Sequence, residues 1–71
     1  MNNEIFKIIE VVGTSPDSME DAIQAAINRA ARNEHQLKWF EVVQTRGTIA
    51  NGVPEKYQVT LKIGVKLQDN D

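Results

Sequence analysis

The sequence predicts an α+β domain with the order β-α-β-β, a three-stranded antiparallel sheet carrying one helix. Three observations lead there. Residues 56–67, KYQVTLKIGVKL, alternate apolar and polar side chains as a half-buried strand does. Met19, Ala22, Ile23, Ala26, Ile27 and Ala30 recur at three- and four-residue spacing, the stripe of an amphipathic helix. Between the second and third strands lies ANGVPE, where Asn51-Gly52 tolerates positive φ and marks a hairpin.

The first element covers residues 5–12, IFKIIEVV, a β-branched run broken by Lys7 and Glu10 and expected to be mostly buried on both faces. Gly13 is expected to end it. GTSPDS then offers two helix starts: Ser15 as cap with Pro16 at the first helical position, or Ser18 as cap with Asp21 three residues on. The helix is expected over 18–32, and its alanines permit close approach to a sheet. The second strand is predicted over 38–49. Pro54 predicts a connection longer than a tight two-residue turn. In the third strand Tyr57, Val59, Leu61, Ile63, Val65 and Leu67 share one face, and Gln58, Thr60, Lys62, Gly64 and Lys66 the other. QDND ends the chain as a polar tail. With no repeat, low-complexity segment or internal boundary, residues 1–71 read as a single domain.

Composition narrows the function classes. Cysteine is absent and the single histidine, His35, lies in the polar run RNEHQ, which argues against zinc or iron chemistry. The net charge is −2, with eight basic and ten acidic residues mixed along the chain. Nucleic-acid binding requires a basic stripe or patch, so no nucleic-acid partner is expected. No apolar run is long enough to span a membrane. The opening MNNEIFKIIE carries no signal-peptide pattern, so a cytoplasmic location is the expectation. A chain this short without disulfide or metal commonly depends on oligomerisation.

Trp39 and Phe40 are adjacent on the second strand and therefore face opposite ways. The apolar face of the third strand must meet the helix, so Phe40 and Val42 are assigned to that layer. Trp39, Glu41, Val43 and Thr45 fall on the reverse, beside Gln58, Thr60 and Lys62. An indole on an otherwise polar sheet face marks a contact. Two contacts fit: a subunit interface that buries Trp39, or a planar ligand stacked on the indole with Gln58 at its edge. A bulge in the pairing would change the faces.

EVVGTSPDSMEDAIQAAINRA, LKWFEVVQTRGTI and YQVTLKIGVKL resemble the dodecins, small flavin-binding proteins, and the likeness runs from about Phe6 to Leu67. The resemblance implies a sheet that partly wraps its helix and a hollow dodecamer of identical subunits. It also implies oxidised flavin, FMN or riboflavin, bound at subunit contacts. Trp39 matches the stacking position and Gln58 the one that hydrogen-bonds the ring edge. Arg46 matches an arginine near the flavin, although strand parity places it opposite Trp39 unless a bulge or a neighbouring subunit intervenes. Phe6, Lys7 and Lys66 are weaker candidates, with the cations suited to the phosphate of FMN or of coenzyme A. The chain lacks the extreme acidity of the halophilic members, which favours the bacterial, FMN-binding type. Thr48 stands where many bacterial members carry histidine.

Storage and quenching of flavin is thus the expected function, and not turnover. Nucleophilic catalysis needs a Ser or Cys beside a base, which the motifs do not supply. Glu41 is the only carboxylate assigned to the Trp39 face, so no acid–base pair forms there. One glycine before a helix, in GTSP, is far from a phosphate-loop fingerprint. A structural shell without flavin and a flavin-dependent enzyme are the alternatives.

Overall fold

The computed structural model describes residues 3–68. Its elements are β1 (Phe6–Ser15), α1 (Met19–Ala30), β2 (Leu37–Ala50) and β3 (Val53–Lys66). The sheet is antiparallel throughout, in the order β1-β3-β2. β3 is therefore central. The crossover through α1 returns the chain two strands away, and the β2–β3 hairpin then inserts β3 beside β1. No helix among the described residues is long and apolar enough to cross a membrane.

The core is the interface between α1 and the even-spaced apolar face of β3. Val59, Leu61, Ile63 and Val65 are buried against Ala22, Ala26 and Ala30, with Ile9, Val11, Met19, Ile23, Ile27 and Leu37 packed around them. The alanines bring the helix axis close to the sheet, as expected from the stripe. Ser18 is the cap that wins: its Oγ accepts from the Asp21 N–H at 3.0 Å. Ser15, the rejected start, is a buried anchor in the same turn. Its Oγ donates to Asp21 Oδ2 at 2.7 Å and accepts from the Asp17 N–H at 2.9 Å and, more weakly, from Ser18 at 3.4 Å. Ser15→Ala would leave the Asp17 N–H without its acceptor beside a buried site. The expected cost is about 1–2 kcal/mol of stability, read as a lower urea midpoint with an unchanged slope.

Several expectations are corrected. β1 does not stop at Gly13 but runs through it to Ser15, pairing Gly13 with Val59 and Thr14 with Gln58. It is covered on one face only: Ile8 and Val12 are exposed, because the sheet has a helix on one side alone. The hairpin closes through Asn51 (φ 54) and Gly52 (φ 79), a two-residue turn with positive φ at both positions. Pro54 does not lengthen it. The proline sits inside β3 opposite Ile49, where the register slips, and where β1 no longer flanks β3. Its missing N–H therefore costs no ladder bond on the far side.

Phe40 and Val42 do lie on the helix side, facing Ile63 and Leu61. Yet Phe40 is 48% exposed and Val42 is similarly open. The helix packs chiefly on β1 and β3 and does not cover β2, the far edge. With Val43, Ile49 and Val53, these residues leave an apolar surface along the hairpin, an arm of a molecule 57 Å long and 14 Å thick.

Candidate functional site

The face of the sheet away from α1 is organised in cross-strand rows. From one end they read Phe6–Lys66, Ile8–Gly64–Trp39, Glu10–Lys62–Glu41, Val12–Thr60–Gln44 and Thr14–Gln58–Arg46. Glu41 is thus not the only carboxylate on this face. Glu10 joins it, with Lys62 between the two, so the pair is separated by a strand carrying a cation.

Trp39 occupies the open face as expected, 43% exposed. Its indole lies over Gly64, so close that a Cβ there would overlap Cε2 and Cζ2 of the ring. Phe6 of β1 packs against the indole, with centroids 4.9 Å apart and planes at 64°, an edge-to-face contact. The indole thus sits over the Gly64 backbone with Phe6 beside it, and nearly half of the residue stays exposed.

Arg46 lies on the same face as Trp39, although simple alternation places it on the other. The reason is a bulge. Val42 pairs with Leu61 and Gln44 with Thr60, so Val43 is an extra residue and the parity of β2 reverses beyond it. Thr45, expected beside Trp39, faces Val59 on the helix side for the same reason, whereas Arg46 meets Gln58. Arg46 Nε donates to Gln58 Oε1 at 2.7 Å, and Gln58 Nε2 reaches Thr14 Oγ1 at 3.5 Å. The amide oxygen is thereby occupied and the amide group is held at a defined angle to the sheet.

Of the remaining candidates, Phe6 and Lys66 share the open face, and Lys66 Nζ pairs with Glu4 at 3.2 Å. Lys7 does not join them. It faces Val65 on the helix side, and its Nζ pairs with Glu34 at 3.3 Å. Thr48 is held within the hairpin, its Oγ1 donating to Glu55 Oε1 and accepting from the Lys56 N–H. Two participants were not selected from sequence: Thr14, which read as part of a loop, and Gly64. A glycine inside the most regular strand was itself a signal of close approach.

These residues form two clusters, not one. Gly64 and Gln58 are six residues apart on β3, about 20 Å at the rise of a strand. That exceeds the long axis of a fused three-ring system. The backbones of Trp39 and Gln58 thus stand at well-separated points along the open face of one subunit.

The chain matches the family model described as Dodecin over residues 5–68. The chain belongs to the dodecin family. The dodecin of Thermus thermophilus is 44% identical over 66 residues, spanning 93% of this chain and 96% of that protein. Among solved structures, the dodecin from Streptomyces davaonensis superposes with a TM-score of 0.91 at 41% identity, covering 96% of this chain and all of that one. Streptomyces coelicolor dodecin does so with a TM-score of 0.91 at 43% identity, covering 97% and 99% of the two chains. The β-α-β-β order with one helix on a three-stranded antiparallel sheet is therefore a dodecin fold.

Proposed function

We propose that this dodecin sequesters an oxidised flavin, FMN before riboflavin, between copies of itself in a closed shell of twelve. The observation that carries the proposal is the indole of Trp39: packed over Gly64, in contact with Phe6, and exposed enough to take a planar ring. The residues fit the ligand. Gln58, its amide oxygen taken by Arg46, retains an amide proton for a carbonyl at the ring edge. Arg46, beside Gln58, and Lys66, at the other end of the same face and paired with Glu4, are the cations that different copies would bring to a phosphate, which favours FMN and makes coenzyme A a competitor. Since Trp39 and Gln58 stand well apart along β3, the proposal draws the two parts of a site from different copies. The apolar arm of β2 and β3, with Phe40, Val42, Ile49 and Val53 open in the single subunit, gives a copy something to bury.

The proposal is for binding and not turnover. Trp39 would donate an electron to the photoexcited ring and recover it at once, extinguishing emission with no net chemistry. A ring stacked on Trp39 and enclosed by neighbours leaves no access for a second substrate. The test is a titration of FMN, riboflavin and coenzyme A, following flavin fluorescence. Strong quenching with a tighter curve for FMN is expected, and coenzyme A should displace FMN if both use the cations. Unquenched flavin at saturating protein would overturn the proposal.

A further inference from the structure

We infer that Gly64 is a positioning residue for Trp39, and that its missing side chain sets the plane in which the indole presents its free face. Gly64 sits in the interior of the central strand, where a glycine weakens the sheet relative to a residue with a side chain. Its backbone does not need a glycine: among the described residues only Gly52 is a glycine with positive φ. What needs it is the ring above. Gly64 is buried although it lies on the open face, whereas Lys62, one row along, is exposed. Ile8, its neighbour on β1, is also exposed, so the cover comes from β2. That cover is the indole, whose Cδ2, Cε2 and Cζ2 atoms occupy the volume a methyl group would take.

The geometry works as a floor and a stop. The Gly64 peptide, hydrogen-bonded into ladders on both sides, is a rigid floor. Phe6, packed against the ring at a centroid distance of 4.9 Å, limits its movement towards the end of the sheet. An indole held this way has lost its rotamer freedom before any ligand arrives, and that preorganisation favours stacking. A methyl on residue 64 would lift or tilt the ring, and a tilted ring cannot lie parallel to a planar partner. The ligand half of this inference rests on the stacking proposed above; the indole half does not.

The test uses Gly64→Ala alone and combined with Trp39→Ala, in the assembled protein. Trp39 is the only tryptophan, so the near-UV circular dichroism of the indole and its quenching by acrylamide report its seating without ligand. Gly64→Ala is expected to collapse the indole band, to make the ring more accessible to acrylamide, and to weaken FMN by roughly tenfold or more. In the Trp39→Ala background the same change should leave the melting temperature unchanged or raised, since the clash is gone and alanine suits a strand better. An unaltered indole band would overturn the inference. So would an equal loss of melting temperature in both backgrounds, which would place the clash in the backbone. Should the parent protein fail to bind FMN, the stacking proposal falls, while the ligand-free signals still decide the role of Gly64.

Discussion

Gly13→Ala is expected to destabilise the subunit by about 3 kcal/mol or more, the largest loss expected from adding a methyl group at any of the four glycines. Gly13 lies in β1, is buried, and faces the helix. A Cβ there would overlap the Ala22 carbonyl oxygen, approach the Ala22 carbonyl carbon at 2.9 Å and the Ala26 Cβ at 3.0 Å. Two of those atoms are backbone, so no rotamer change relieves the contact. The helix itself must rise, and with it the layer of Ala22, Ala26 and Ala30 that closes over Val59 and Leu61. A domain of this size has only a few kcal/mol in hand, so the change removes much of its margin. Urea denaturation at fixed protein concentration checks it. A midpoint close to that of the parent would show that the helix can shift cheaply, and that the close approach at Gly13 is incidental.

Gly13 also shows where the sequence was legible and where it was not. The alanine stripe correctly announced a close helix, but the glycine that receives it resembled a strand terminator. A glycine needed for close approach and one needed for a turn look alike in sequence. The same limit applied to Pro54, which resembled part of a longer turn because its position beyond the reach of β1 is a matter of sheet order. The faces of β3 were readable from alternation alone, and so was the opposition of Trp39 and Phe40. Alternation failed beyond Val43, because a bulge adds a residue without any mark in the apolar pattern. That single insertion exchanges Thr45 for Arg46 on the open face and brings Arg46 within 2.7 Å of Gln58. Phe40 was assigned to the correct side yet is not enclosed, since the width of one helix limits how many strands it covers. Its cover, like the completion of the site, is assigned to neighbouring copies only by the function proposed above.

Mixed assemblies are expected to recover a function that neither parent variant has. Trp39→Ala removes the stacking platform and should weaken flavin binding by about 1–3 kcal/mol, roughly five- to 150-fold, with the quenching largely gone. Gln58→Ala removes the edge partner and leaves the Arg46 guanidinium without its acceptor, a loss of similar order. If Trp39 and Gln58 of one site came from the same chain, co-assembling the two variants would restore nothing, because every chain carries a defect. Their separation of about 20 Å along β3 says otherwise. Drawn from different copies in an equal random mixture, each residue is intact half the time, so about one quarter of the sites should regain parental affinity and quenching. The readout is the amplitude of the tight phase in an FMN titration of co-expressed or co-refolded variants. A quarter-amplitude tight phase identifies the site as shared. Its absence, in assemblies shown to contain both chains, would place Trp39 and Gln58 of one subunit on one ligand and overturn the shared site.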